Sequence, residues 1–151
     1  MTKNTITPEQ RDAILQLEED HFHDLKSKEI KPSKLSESVS SFANTSGGEL
    51  FIGIHETKQG NTKVRTWNGF TDVEEANSIL QMLNQVAPLA DFVLITLLES
   101  SGDSGLVLKI ELLKNGAITK ATDGVPYIRK GAQKLPVDTE EALERLRLDK
   151  G

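Results

Sequence analysis

The sequence contains no cysteine. Disulfide bonds, zinc sites built on thiolates and cysteine nucleophiles are therefore excluded. The sequence also has no apolar run near the roughly 20 residues that a helix needs to cross a bilayer, so we expect no association with a membrane. The first eight residues, MTKNTITP, lack the apolar stretch of a secretory signal. These absences together favour a cytoplasmic protein.

Basic residues are in the minority, because 18 Lys and Arg stand against 23 Asp and Glu and give a formal net charge of −5. This balance argues against a protein that coats nucleic acid non-specifically, since such proteins gain most of their affinity by neutralising phosphates. It still allows a local basic strip, because net charge and surface field differ. The length of 151 residues and the 36% hydrophobic content indicate one globular domain over residues 1–151.

The apolar pattern predicts about four helices. The first begins with Thr7 as its N-cap and Pro8 at its first position. The second is the clearest, since Leu35, Val39 and Phe42 fall on one face of a helix that starts near residue 32. The other two helices are expected at 72–86, closed by Pro88, and at 139–148. Strands are expected at 21–26, 50–54, 63–67, 92–98, 105–112 and 126–131, which makes the fold class α+β.

The most informative block is FANTSGGELFIGI at residues 42–54. A helix runs into the pair Gly47-Gly48 and then into a buried strand, which requires a tight turn. This order is wrong for a phosphate-binding loop, which leads from a strand into a helix. The block resembles the AFANT-x-GG-x-hhhGh signature of the Schlafen AlbA-like domain, where h is an apolar residue. That domain is also described as a DNA-binding domain of bacterial proteins.

Two further segments resemble the same family in order and spacing. Residues 19–26, EDHFHDLK, are similar to its E-x-x-x-x-E-F-K element, with Asp24 in place of the second glutamate and Leu25 in place of phenylalanine. Residues 125–131, VPYIRKG, are similar to its x-Y-h-R-x-G strand. The resemblance covers residues 19–137. It implies a mixed, largely antiparallel sheet packed by about four helices.

The resemblance also implies a catalytic site. Nuclease members of the Schlafen family hold a divalent metal with three carboxylates, and these fall here on Glu19, Asp24 and Glu56. Carboxylates bind Mg²⁺ or Mn²⁺, which activate water and offset charge on the phosphoryl transition state. At two of the three positions Asp and Glu are exchanged relative to the family pattern. The alternative is that Glu19 and its acidic neighbours are solvated charges at the end of a surface helix.

Three histidines suggest a second ligand set. His21 and His23 share one face of an expected strand, and His55 is next to Glu56. Histidines two residues apart are more often surface or partly buried residues than metal ligands. We therefore prefer that interpretation.

Basic side chains near the motifs are candidates for phosphate contacts, which position a backbone without identifying bases. Arg129 is the strongest, since its guanidinium could clamp a phosphate with two hydrogen bonds or pair with a carboxylate. Some of the others are expected to be ordinary surface residues. The candidates are Lys26, Lys34, Arg65, Arg129 and Lys130, within a wider set that adds Lys28, Lys31 and Lys134.

Three functions therefore stay open at this point. The first is a module that binds RNA or DNA through a local basic strip. The second is a metal-dependent endoribonuclease that uses Glu19, Asp24 and Glu56. The third is a protein-interaction or oligomerisation domain, for which the net charge of −5 argues. We expect the chain to act as a homo-oligomer or within a larger complex.

Overall fold

The computed structural model describes residues 1–86 and 91–150. Its α-helices are α1 (Pro8–Leu15), α2 (Pro32–Ala43), α3 (Asn77–Gln85) and α4 (Glu140–Lys150). A short 3₁₀ turn at Glu74–Ala76 leads into α3. Its strands are β1 (Thr2–Ile6), β2 (His23–Lys26), β3 (Gly48–Ile52), β4 (Ile54–Gln59), β5 (Thr62–Trp67), β6 (Val93–Ser100), β7 (Leu106–Leu112), β8 (Tyr127–Lys130) and β9 (Gln133–Pro136).

Five strands form one sheet in the order β1-β6-β7-β3-β2. The outer pairs β1–β6 and β2–β3 are parallel, whereas β6–β7 and β7–β3 are antiparallel. Two antiparallel hairpins, β4–β5 and β8–β9, form separate two-stranded sheets. The predicted fold class, α+β with a mixed, largely antiparallel sheet and about four helices, is confirmed.

The two faces of the sheet bury two separate apolar clusters. Helices α2 and α3 cover one face, where Leu35 and Phe42 pack against strand residues such as Ile52 and Ile110. Apolar residues of α1 and the β4–β5 hairpin cover part of the other face, around Phe51. No helix in residues 1–86 or 91–150 is long and apolar enough to cross a membrane.

Helix α1 begins where its sequence predicts. The Thr7 hydroxyl accepts a hydrogen bond from the Gln10 N–H at 3.2 Å, and the Gln10 side chain accepts one from the Thr7 N–H at 2.9 Å. This reciprocal pair satisfies two N–H groups that a helix leaves unpaired at its start. The expected end of the third helix at Pro88 lies outside the described residues.

Some elements differ from the sequence-based expectation. Strand β1 was not predicted, because its residues are mostly polar and form a strand only by pairing in parallel with β6. The expected strand at 126–131 is one half of a hairpin, whose return strand β9 was also not predicted. Helix α3 starts at Asn77, five residues later than predicted, because the 3₁₀ turn precedes it.

Candidate functional site

The paired glycines allow helix α2 to lead directly into strand β3. Gly47 has a φ of +75°, and a Cβ there would lie 2.5 Å from the Leu112 carbonyl oxygen. A Cβ on Gly48 would lie 2.3 Å from the ring of Phe42, which is fully buried. Both positions therefore require glycine for steric reasons. The glycine pair serves the fold and presents no cradle for a ligand.

Asn44, the asparagine of the same motif, is buried and structural. Its Nδ2 donates to the carbonyls of Thr119 at 2.7 Å and Tyr127 at 2.9 Å, and to the Ser40 hydroxyl at 3.2 Å. Its Oδ1 accepts from the Thr119 N–H at 2.8 Å. The side chain thus fastens the end of α2 to the segment that leads into β8. The motif includes Asn44, but nothing in the sequence around it predicted this structural role.

Arg129 is 3% exposed and is not at the surface. Its Nε donates to the Asp20 carbonyl at 3.0 Å and its Nη2 to the His23 carbonyl at 3.2 Å. Its Cζ lies 4.1 Å from the centre of the Phe42 ring, a cation–π distance. Burial lowers the pKa of Arg129, and the nearby Asp24 opposes this effect. The structure does not support Arg129 as a phosphate contact, because its guanidinium is enclosed by protein groups.

Arg129 instead joins the three sequence motifs. Besides its contacts with Phe42 and with the segment around Asp20, its backbone N–H donates to the Thr45 hydroxyl at 2.9 Å. Its Nη1 lies 3.9 Å from Asp24 Oδ2. The alternative expectation, that Arg129 pairs with a carboxylate, agrees with this arrangement. The motifs are thus held together at one buried side chain.

Asp24 is 3% exposed and is only partly satisfied. Its Oδ2 lies 3.3 Å from Lys26 Nζ. Its Oδ1 has no hydrogen-bond partner among the described residues. A buried carboxylate oxygen without a partner is costly, so this atom is a natural ligand for a cation or a donor from outside the chain.

Glu19 lies in the same electrostatic environment. Partial burial raises the pKa of Glu19, and the negative charges of Asp24 and Glu56 raise it further, whereas Lys26 and Arg65 oppose them. Asp24 and Glu56 are therefore both close enough to Glu19 to act on its charge. Among the described residues, however, no three His, Asp or Glu side chains are close enough to hold a metal ion as they stand.

Glu56 and Arg65 face each other across the β4–β5 hairpin, with 3.1 Å between Glu56 Oε1 and Arg65 Nε. Arg65 also donates to the carbonyls of Leu15 and Leu17 at the end of α1. Its side chain is only 12% exposed. Arg65 therefore ties the hairpin to α1, and a role as a phosphate contact would require it to exchange these partners.

These side chains border an open groove. One cavity of about 470 Å³ is lined by residues that include Glu19, Lys26, Glu56 and Arg65. A second cavity, of about 540 Å³, shares Glu19 and Arg65 with it and extends to Lys63. We call the two together the carboxylate groove. Neither cavity is lined by Phe, Tyr or Trp in the described part of the chain.

Lys26 lines this groove, and its charge acts on Lys134, which lies beside Lys34. Lys34 of α2 and Lys134 of β9 approach the same Glu37 carboxylate, at 3.6 and 3.3 Å. Burial lowers the pKa of Lys134, the charge of Glu37 opposes this, and the positive charges of Lys34 and Lys26 lower it further. We call Lys26, Lys34 and Lys134 the lysine patch. Lys130 is exposed at the end of β8.

The histidines have separate polar partners. His21 Nε2 lies 3.1 Å from the Ser46 hydroxyl, and His23 Nδ1 lies 3.0 Å from Asp20 Oδ1. His21 precedes β2, so it does not share a strand face with His23 as the sequence suggested. His55 is exposed on β4. These contacts favour the interpretation of surface or partly buried residues.

The fold is similar to two solved structures. The DIP2311 protein from Corynebacterium diphtheriae matches with a TM-score of 0.58 and 20% identity, over 95% of this chain and 32% of that one. This chain thus spans about a third of the length of that protein. The N-terminal domain of a protein from Nitrosomonas europaea, described as related to the ATP-dependent DNA helicase RecG, matches with a TM-score of 0.53 and 17% identity. That match covers 74% of this chain and 78% of the other.

At these identities the two structures establish the fold alone. No curated protein matches the sequence significantly. The family model described as "Schlafen, AlbA_2" matches residues 19–138, which include all three motifs. The chain therefore belongs to the Schlafen AlbA_2 family.

Proposed function

We propose that this domain binds nucleic acid through the phosphate backbone, at the lysine patch beside the carboxylate groove. The observation that carries the proposal is that three lysines come together from three separate elements: Lys34 and Lys134 approach one carboxylate, that of Glu37, and the charge of Lys26 also acts on Lys134. Glu37 pairs with Lys34 and Lys134, and Asp24 pairs with Lys26, so these three positive charges share two carboxylate partners in a chain of net charge −5. Membership of the Schlafen AlbA_2 family supports the same function.

The chemistry of the site favours recognition of phosphate over recognition of bases. Lysine ammonium groups neutralise phosphates as point charges and carry no sequence information. The groove lining described above offers no Phe, Tyr or Trp ring on which a base could stack. We therefore expect binding that depends strongly on salt and little on sequence.

Fluorescence anisotropy with labelled single-stranded RNA and duplex DNA, in EDTA and over a range of salt concentrations, tests this proposal. The variants are Lys26→Gln and Lys134→Gln. The matched control is Lys3→Gln, which removes the same charge from β1 at the opposite edge of the sheet. The slope of log affinity against log salt is negative, and each lost phosphate contact reduces its magnitude by about 0.7 to 0.9. If the wild-type protein binds neither nucleic acid at low salt, the proposal is wrong.

A second candidate function, metal-dependent cleavage of RNA, is favoured by the unpartnered Oδ1 of buried Asp24. Three neighbouring carboxylates are the donor set that Mg²⁺ or Mn²⁺ prefers, so the chemistry of the residues fits such an ion. Glu19, Asp24 and Glu56 would hold it, and Glu56 would exchange its contact with Arg65 for the metal. The ion would supply an activated water and offset negative charge on the phosphoryl group.

Incubation with tRNA, single-stranded RNA and duplex DNA, in Mn²⁺ or in EDTA, tests this second function. Cleavage should require the metal and should be lost in Glu19→Gln. The control is Glu18→Gln, which removes an equal charge from the adjacent exposed residue. Equal cleavage by wild-type protein and Glu19→Gln would exclude the carboxylate site. Oligomerisation stays a prediction, which light scattering of the purified protein would test.

A further inference from the structure

The Asp24 carboxylate lies between two cations of very different accessibility. Its Oδ2 is 3.3 Å from Lys26 Nζ and 3.9 Å from Arg129 Nη1. The Lys26 side chain is 29% exposed, whereas the Arg129 side chain is 2% exposed. One cation therefore reaches the solvent beside the carboxylate groove, and the other is enclosed behind the carboxylate.

Arg129 is fixed in its position. Two of its nitrogens donate to backbone carbonyls, of Asp20 and His23, and its planar group lies over the Phe42 ring. Only Nη1 has no hydrogen bond among the described residues, and it is the nitrogen nearest to Asp24. A guanidinium held in this way keeps its charge beside Asp24 whatever happens in the groove.

Lys26 is held much less firmly. Within the described part of the chain its ammonium group has one ion-pair partner, Asp24, and it lines the groove. A half-exposed lysine on a flexible stem can exchange one anion for another at little cost. The carboxylate that it leaves behind is buried, however, and a buried charge without a partner is strongly unfavourable.

We propose that Arg129 is a positioning residue that neutralises Asp24, so that Lys26 can leave the carboxylate and bind a nucleic-acid phosphate. The inference rests on the proposed function of the lysine patch and states how one of its members becomes available. Arg129 itself does not contact the ligand. When its charge is removed, Asp24 retains Lys26 as its only counterion and Lys26 stays out of reach of the phosphate.

The experiment compares four proteins: wild type, Arg129→Gln, Asp24→Asn and the double variant. Glutamine keeps one side-chain N–H₂ donor but removes the positive charge. In the double variant both buried charges are absent, which makes a folded protein easier to obtain. Folding is checked by the fluorescence of Trp67, the single tryptophan of the chain. Binding of labelled single-stranded RNA and duplex DNA is then measured in EDTA against salt concentration.

In Arg129→Gln we expect the magnitude of the negative slope of log affinity against log salt to fall by about 0.7 for the single strand and about 0.9 for the duplex, the loss of one phosphate contact. The double variant should recover that slope, because Lys26 is no longer bound by a charged Asp24. Asp24→Asn alone should bind more tightly than wild type. Recovery in the double variant distinguishes positioning from a general loss of structure.

Two results would overturn the inference while leaving the proposed function intact. One is a wild-type slope in Arg129→Gln. The other is a double variant whose salt slope stays smaller in magnitude than that of Asp24→Asn. This comparison can be made even if Arg129→Gln does not fold. By contrast, a wild-type protein without salt-dependent binding would overturn the proposed function and this inference together.

Discussion

Asn44 and Thr119 exchange two hydrogen bonds, from Asn44 Nδ2 to the Thr119 carbonyl at 2.7 Å and from the Thr119 N–H to Asn44 Oδ1 at 2.8 Å. The asparagine side chain thus pairs with a backbone segment as one strand pairs with another. Both groups are buried, so water cannot replace either partner. The same segment continues into β8, which carries Arg129 beneath the candidate site.

We expect Asn44→Ala to lower the free energy of unfolding by about 2 to 4 kcal/mol, because it leaves several buried polar groups without partners. Urea denaturation followed by Trp67 fluorescence measures the change. The control is Asn84→Ala on the exposed side of α3, where we expect a change within about 0.5 kcal/mol. Equal effects at the two positions would contradict a structural role for the motif asparagine.

The turn before β3 provides a second prediction. The comparison is Gly60, which lies in the turn between β4 and β5. Gly60→Ala places a side chain in open space at a φ of +64°, so it should lower the free energy of unfolding by about 1 to 2 kcal/mol through backbone strain alone. Gly47→Ala has a similar φ of +75° and adds a Cβ 2.5 Å from the Leu112 carbonyl, which should cost about 1 to 3 kcal/mol more. The difference between the two variants, measured by urea denaturation, isolates the steric part. A difference near zero would show that the backbone accommodates the added atom.

Tyr127, the single tyrosine, should lose its phenolic proton at a higher pH than an ordinary tyrosine. Burial and the hydrogen bond to Asp123 raise the pKa of Tyr127 to about 12, against about 10 for an unperturbed tyrosine. The folded state therefore favours the neutral phenol, and this contribution to stability is complete below about pH 10 and is lost as the pH rises through 12. Phenolate absorbance during a base titration measures the value directly.

For this titration, Asp123→Asn should lower the pKa of Tyr127, because it removes a negative charge beside the phenol. Asp91→Asn, at an exposed position before β6, serves as the matched control. A phenol that titrates near 10 in the folded wild-type protein would refute the assignment.

The ion pair between Glu75 and Lys28 should make the stability of the folded protein sensitive to acid. Its contact with Lys28, 2.9 Å from Glu75 Oε1, and its bond from the Thr71 N–H lower the pKa of Glu75 to about 2. Because the pKa is lower in the folded state, the stabilisation is present above the unfolded value near 4.3 and is lost as the pH falls through about 2. Urea denaturation at a series of pH values should show wild type and Glu75→Gln converging in acid. The control is Glu74→Gln, which removes an equal charge one residue away. An equal loss of unfolding free energy in both variants at neutral pH would contradict the role of the ion pair with Lys28.

The sequence predicted those helices and strands whose apolar spacing or capping residues lie within the element itself. Helix α2 followed from the spacing of Leu35, Val39 and Phe42, and α1 from the capping pattern at Thr7. Strand β1 depends on β6, some ninety residues away, and nothing in its own polar residues indicates that pairing. Strand β9 likewise forms only because the Gly131 turn brings it back onto β8.

The residues of the candidate site were proposed from the sequence, whereas their contacts came only from the structure. The family resemblance selected Glu19, Asp24 and Glu56, and in the structure the charges of Asp24 and Glu56 both act on Glu19. Arg129 was chosen for its charge, yet it is buried. Its burial follows from the distant Phe42 and Asp20, which local patterning does not reveal. The one available signal was that Arg129 directly follows the apolar Ile128 in its strand.

Strand β1 also determines how far the domain can be shortened. The family match begins at residue 19, yet β1 at Thr2–Ile6 is paired along β6. Without β1, the strand Val93–Ser100 would become a free sheet edge, apolar along most of its length and bearing a single charge, at Glu99. Such an edge recruits further strands from other molecules. The five residues of β1 therefore protect the β6 edge from pairing with other molecules, and a chain cut at the family boundary should lose solubility before it loses its fold.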